Sequence, residues 1–308
     1  MSIDYGKALS IMGTSSRFLM GSCARRNALN GFTVIELLVV VTIIAILALL
    51  SLAGVRKALE LAGGVKESGA ARSLITAYMA AATDNNGTLL PGYDRTLTEL
   101  EMPDGTRIPS PACQRYPYRL APYFNYNIKN TLLTSGNSSI KTSDYYRVSA
   151  YPSFGINYIF VGGDLASDGK VTYSSDCLQI SSRGRGAALV VFATAAGQDA
   201  SGAASGASVG GSGGGESSAS KIEGYCLLEP PRKTGPMWKT APWTPDSRPA
   251  DYGQVDARHG GKAICALTDG SVRKLSVEEL RDMRLWSFRA ADTDDKNYSV
   301  VNSGGRRR

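Results

Sequence analysis

Asn30-Gly31-Phe32-Thr33-Val34-Ile35-Glu36-Leu37-Leu38-Val39-Val40-Val41-Thr42-Ile43-Ile44-Ala45-Ile46-Leu47-Ala48-Leu49-Leu50-Ser51-Leu52-Ala53-Gly54-Val55 decides how the rest of the chain is read. From Phe32 to Val55 Glu36 is the one charge, and nearly everything else is apolar. A helix rises about 1.5 Å per residue, so roughly 20 such residues cross the hydrocarbon layer of a bilayer. A carboxylate near the start of such a span costs a few kcal/mol, on the order of 3, unless it is paired. Glu36 therefore needs a reason.

The order Gly31-Phe32-Thr33-Val34-Ile35-Glu36 resembles the processing site of type IV pilins and type II secretion pseudopilins. The resemblance implies cleavage after Gly31 by a prepilin peptidase, N-methylation of the new terminal residue Phe32, and a glutamate in the family's position at Glu36. A physical rationale goes with it. The Phe32 amine would be a positive charge in an apolar setting, and a carboxylate one helical turn away neutralises it, in the same subunit or in a neighbour.

The chain has 308 residues and a net charge of +7. The leader to Gly31 carries Lys7, Arg17, Arg25 and Arg26 against Asp4, which is +3 of that total and leaves +4 for the mature part. So modest a charge does not form a nucleic-acid footprint, which needs a clustered basic face. The leader lacks the long apolar core of a secretory signal. Basic residues are nearly balanced across the span, so orientation rests on the processing motif rather than on the positive-inside rule.

Beyond Val55 the helical pattern becomes amphipathic. Ala71, Leu74, Ile75, Tyr78, Met79 and Ala82 recur at spacings of three and four, predicting a near-continuous helix over 32–82 with weak points at Gly54 and Gly63-Gly64. Asp84-Asn85-Asn86-Gly87 predicts its end. Tyr145–Ser149, Ile156–Val161 and Ala187–Thr194 read as strands. Residues 197–220 are almost entirely Gly, Ala and Ser and read as a flexible loop. The proline-rich stretch after it holds Trp238 and Trp243, which read as packed anchors, with a carbohydrate-binding face as the alternative.

A second resemblance rests on the order of several landmarks: Asp84-Asn85-Asn86-Gly87, Leu89-Leu90-Pro91, Tyr116-Pro117-Tyr118-Arg119-Leu120-Ala121-Pro122-Tyr123, Ser153-Phe154-Gly155-Ile156-Asn157-Tyr158, and His259 followed after nine residues by Asp269-Gly270. These are similar to a pilin-like bacterial family marked by a C-terminal signature of His, nine residues, Asp-Gly. The signature reads as structural. Gly261–Leu267 holds an apolar run of strand length, Asp269-Gly270 is a two-residue hairpin turn, and Ser276 with Glu279 a capping box. On one straight strand His259 and Asp269 would stand roughly 30 Å apart, too far to share a ligand.

Four cysteines lie beyond the leader. Cys113, Cys177, Cys226 and Cys265 suit disulfides outside the cytoplasm, with three connectivities open. His259 is the one histidine, and neither a nucleophile elbow nor a phosphate-binding glycine loop is present. Asp164, Asp168, Gly169 and Asp176, and again Asp292, Asp294, Asp295 and Asn297, read as polar turns rather than calcium loops. No catalytic residue, metal or cofactor is expected.

The expected architecture is therefore α+β and pilin-like. A leader (1–31) is cleaved, a long helix (32–82, spanning the membrane over 32–55) packs on an antiparallel sheet, and a globular domain (83–308) lies outside the cytoplasm. The expected function is that of a pilin or pseudopilin subunit of a filament. Its partners would be the peptidase/methyltransferase, other pilin-like subunits and inner-membrane lipid, with no nucleic acid. The alternative is a monomeric, membrane-anchored binding protein.

Overall fold

In the computed structural model, residues 33–172, 176–181, 186–198 and 221–300 are described. The chain divides into two compact units, residues 1–54 and 55–308. Helix α1 spans Val34–Asp84 and contributes to both.

In the first unit, every residue from Val34 to Ser51 is exposed, and these 18 residues are apolar enough to cross a membrane. No buried face distinguishes one side of this stretch from another. A helix apolar all round is built for lipid or for other helices.

In the second unit α1 is amphipathic. Ala71, Leu74, Ile75, Ala77, Tyr78, Ala81 and Ala82 are buried, whereas Arg72, Ser73, Thr76 and Ala80 are exposed. Gly63 and Gly64 do not interrupt the helix. At Gly64 a Cβ would stand 3.1 Å from Lys274 Nζ and 3.5 Å from His259 Nδ1. The helix ends as Asn86 turns left-handed (φ 54°) and the Gly87 N–H reaches back to the Ala82 carbonyl at 2.7 Å.

Short elements follow: strands β1 (Tyr93–Asp94), β2 (Glu99–Glu101) and β3 (Arg107–Pro109), then helices α2 (Tyr116–Leu120), α3 (Ile128–Thr131) and α4 (Tyr145–Ala150). Helix α4 replaces the strand expected at Tyr145–Ser149. Asp144 caps it, its Oδ1 accepting the Arg147 N–H at 3.1 Å, so the local cap outweighs the β-branched and aromatic content.

The remaining strands are β4 (Phe154–Asn157), β5 (Asp164–Leu165), β6 (Val190–Thr194), β7 (Ala196–Gln198), β8 (Lys221–Glu223), β9 (Leu227–Leu228), β10 (Lys262–Leu267) and β11 (Val272–Ser276). Helices α5 (Val277–Leu280) and α6 (Phe288–Asp292) close the described chain. The strand expected over 156–161 stops at Asn157, whose Nδ2 is drawn away by the Val190 and Trp286 carbonyls (3.0 and 3.1 Å). Of the loop expected over 197–220, Gly197 and Gln198 belong to β7, paired with β8; the rest lies outside the described residues.

The central sheet has five strands in the order β11-β10-β6-β4-β9. It is antiparallel except at the β4–β9 edge, which is parallel. Both faces are covered. Along β10, Ile264 and Ala266 join the cluster that contains Leu74, Tyr78 and Phe192, while Ala263, Cys265 and Leu267 join the cluster of Trp238, Tyr252, Leu280 and Trp286. This two-sided burial is why β10 is apolar from Ala263 to Leu267 instead of alternating. Tyr78 meets Phe192 edge to face at 5.5 Å, fixing α1 on one side. Trp238 and Trp286 meet at 5.8 Å on the other.

The hairpin turns differ from expectation in an instructive way. The β10–β11 loop has positive φ at Gly270 (79°) but not at Asp269, and Asp269 Oδ1 instead accepts the Ser271 N–H at 2.9 Å. It is a three-residue loop with glycine in the left-handed position, not a two-residue turn. The two-residue turn with both φ positive lies one strand earlier, at Gly260 (64°) and Gly261 (79°), clamped by paired backbone bonds between His259 and Lys262. The capping box at the start of α5 is present, between Ser276 and Glu279.

The disulfide expectation is corrected. Cys113, Cys177, Cys226 and Cys265 are free and buried. Each thiol is packed at its own place in the core as a small apolar group: Cys226 beside the β4–β9 pairing, Cys265 within β10, Cys113 against the Leu97 carbonyl. Burial pushes the Cys177 thiol up to about 12 and raises the other three.

Candidate functional site

Two places carry the residues that the sequence singles out. The first is the start of α1. Gly31 and Phe32 lie outside the described residues. Thr33 and Glu36 are described, and they form a reciprocal cap. Glu36 Oε2 accepts from the Thr33 N–H (2.9 Å) and hydroxyl (2.8 Å), while the Glu36 N–H donates to Thr33 Oγ1 at 3.3 Å. Two of the helix's orphan donors are thereby satisfied, and the carboxylate sits at the positive end of the helix dipole. Thr-x-x-Glu before an apolar run is a capping box legible in the sequence, and the charge-pairing reading of Glu36 overlooked it. One carboxylate oxygen is committed to Thr33; Oε1 makes no hydrogen bond among the described residues.

The second place is where α1 meets the sheet within residues 55–308. Glu67 occupies the buried face of α1 and is only 1% exposed. Arg258 Nη2 donates to both of its oxygens, at 3.0 and 3.1 Å, and His259 Nε2 lies 2.6 Å from Oε2. Nη2 also lies 3.3 Å from the Ser153 carbonyl, and Nη1 donates to the Ala195 carbonyl (3.0 Å) and Asp256 Oδ2 (3.2 Å). Asp256 Oδ1 is held by Lys221 at 3.2 Å. Burial alone would push the Glu67 carboxyl up, but the hydrogen bond from His259 and the charge of Arg258 outweigh it and hold the group below the ordinary carboxylate value. Burial likewise works against the Arg258 charge, and Glu67 and Asp256 more than restore it.

The Gly260-Gly261 turn positions this cluster. By reversing the chain immediately after His259, it presents Arg258 and His259 together at one end of β10. The ten residues from His259 to Asp269 therefore do not form one straight strand; β10 occupies six of them. Asp269 lies past the opposite end, on the exposed hairpin, paired with Arg273 at 3.1 Å. The two signature residues are not brought together. Glu67, not singled out from sequence, is the side-chain partner of His259 among the described residues, and Arg258, likewise not singled out, shares it. Four of the acidic residues weighed for calcium are engaged with cations: Asp164 with Arg95, Asp168 with Lys170, Asp176 with Arg289 and Asp294 with Arg284. Among the described residues no group of three or more His, Cys, Asp or Glu side chains gathers as a metal site.

The model of one known family matches the chain: the prokaryotic N-terminal methylation motif, over residues 26–52. No curated protein and no solved structure matches it. The match covers Gly31, Phe32, Thr33 and Glu36 and nearly all of the exposed apolar helix, and it does not extend to the His259–Gly270 signature. An α+β head follows that helix, and residues 26–52 are similar to the start of chains that carry the prokaryotic N-terminal methylation motif.

Proposed function

We propose that this chain is a filament subunit: cut between Gly31 and Phe32, methylated on Phe32, held in the inner membrane by Val34–Ser51, and assembled with other pilin-like subunits through that helix. The observation that carries the reading is the coincidence of the methylation motif with a fully exposed 18-residue apolar helix. In a bilayer, lipid satisfies that surface. In a filament, neighbouring helices replace the lipid through close packing. Glu36, held by Thr33 with one oxygen to spare, is poised to receive a neighbour's terminal amine. The head stays outside the membrane as the exposed part of the subunit.

Mass spectrometry of the membrane-bound protein tests processing; the expected terminus is N-methylated Phe32, and an intact leader refutes the proposal. Assembly is tested by shearing. The chain is expected in the sheared filament fraction, and Glu36→Val is expected to insert in the membrane as well as wild type while dropping out of that fraction. Recovery of wild type only from membranes would favour a membrane-anchored monomer instead.

A further inference from the structure

Beside the Glu67 cluster lies a cleft of about 470 Å³, lined by Lys221, Glu223, Trp243, Pro245, Arg258 and the Gly260-Gly261 turn. That volume falls within the range of small-ligand sites, roughly 300–1,000 Å³. Nothing in the anchor reading uses it.

The polar groups facing the cleft are not all spent. Glu223 Oε2 accepts from the Ser135 hydroxyl and the Gly136 N–H, but Oε1 makes no hydrogen bond among the described residues. Lys221 gives one hydrogen to Asp256 and one to the Pro245 carbonyl, leaving a third. The Gly260 and Gly261 N–H groups and the Trp243 indole N–H also make no bond among the described residues. At the base, Arg258 Nε is buried without a hydrogen bond, facing Glu223 Oε2 across 4.0 Å. A buried donor without a hydrogen bond is open to an added acceptor.

The charge balance selects the ligand. At the cleft Lys221 and Arg258 stand with Glu223 and Asp256, and Arg258 is also paired with the buried Glu67 behind it. An anion is opposed by Glu223 and a cation by Arg258. A hydroxyl does neither, since it accepts from the Nε–H and donates to the carboxylate at once. Glu223 Oε1, on a side chain 38% exposed, is the oxygen open to receive one. The half-buried Trp243, with Lys221 Nζ 5.8 Å from its ring centroid, and the exposed Pro245 supply an apolar wall of the kind a sugar ring packs on.

We propose that this cleft binds a neutral, polyhydroxylated ligand, a unit of a saccharide chain, with Trp243 as the stacking wall and Glu223 and Lys221 as the polar contacts. The inference concerns the head alone and stands whether or not the chain polymerises.

The test uses the full chain in a detergent without a sugar headgroup, titrated by calorimetry and saturation-transfer NMR with maltotriose, cellotriose and chitotriose, and with trigalacturonate as the acidic comparison. At least one neutral trisaccharide is expected to bind. Trp243→Ala should weaken it at least tenfold, Glu223→Gln severalfold, and Trp243→Phe should largely keep it, which guards against a folding defect in the alanine variant. No binding by any neutral trisaccharide, binding of trigalacturonate alone, or neutral binding undiminished in both Trp243→Ala and Glu223→Gln would each overturn the proposal.

Discussion

Glu67 and Arg258 stand 191 residues apart in sequence, yet one guanidinium nitrogen of Arg258 donates to both carboxylate oxygens of Glu67, at 3.0 and 3.1 Å. Both side chains are nearly closed to solvent, 2% and 12% exposed. The pair ties the long helix to the end of the sheet at a place where neither charge can fall back on water. Breaking one side is therefore far worse than never having had the pair.

Glu67→Ala and Arg258→Ala are each expected to destabilise the head by about 3–5 kcal/mol, because each strands a buried charge. The double variant Glu67→Leu with Arg258→Met should cost less than the sum of the two single changes. Chemical denaturation of the detergent-solubilised chain, arranged as a double-mutant cycle, reads the coupling directly.

The same pair sets an acid limit. The carboxyl of Glu67 lies below its ordinary value of 4.5 in the folded chain, so the unfolded chain takes up the proton first as pH falls. Its contribution is then full above pH 4.5 and is lost progressively as pH falls through the lower folded value. Thermal midpoints measured from pH 7 to pH 3 should fall below about 4.5 in wild type, and less steeply in Glu67→Gln, which starts lower. Glu223 and Asp282, also depressed, will leave a residual slope in the variant.

Gly64 offers a graded probe of the same contact. Alanine there meets the mobile end of Lys274 at 3.1 Å and His259 at 3.5 Å, so Gly64→Ala should be neutral or stabilising by up to about 1 kcal/mol, the usual helix preference for alanine. Gly64→Leu should push His259 off Glu67 and lower the thermal midpoint by several degrees. Equal behaviour of the two variants would show that the helix does not sit this close to the sheet.

The thiols give a simple count. With all four cysteines of the head free and buried, an alkylating reagent should leave the native chain almost unmodified and label four sites after unfolding, without prior reduction. A fifth labelled site would be Cys23, so the same spectrum reports whether the leader has been removed.

Much of the architecture was legible because it rests on local rules. The apolar run, the stripe through Leu74 and Tyr78, the end at Asn86-Gly87 and the Ser276–Glu279 box follow from spacing and side-chain chemistry. Two misreadings came from weighing one local rule over another. Tyr145–Ser149 was read by β propensity while Asp144 stood ready as a cap. Asp269-Gly270 was taken for the tight turn while Gly260-Gly261, with greater freedom at both positions, stood nine residues earlier. The cluster around Glu67 was harder to see. A faint signal existed: Glu67 falls three and seven residues before Ala70 and Leu74, on the helix face that is otherwise apolar, and a charge there needs a partner. Which cation would answer it depends on a contact across most of the chain, and no local pattern encodes that.

That span has a consequence in time. A ribosome adds roughly 5–20 residues per second, so about 10–40 s separate the synthesis of Glu67 from that of Arg258. Throughout that interval the lower part of the helix carries a carboxylate whose lasting counter-charge does not yet exist. The Gly260-Gly261 reversal is made directly after Arg258 and His259, and it delivers guanidinium and imidazole together. A nascent chain that stops short of it keeps its helix but cannot lock its head, which leaves truncated products open to proteolysis at the helix–sheet seam.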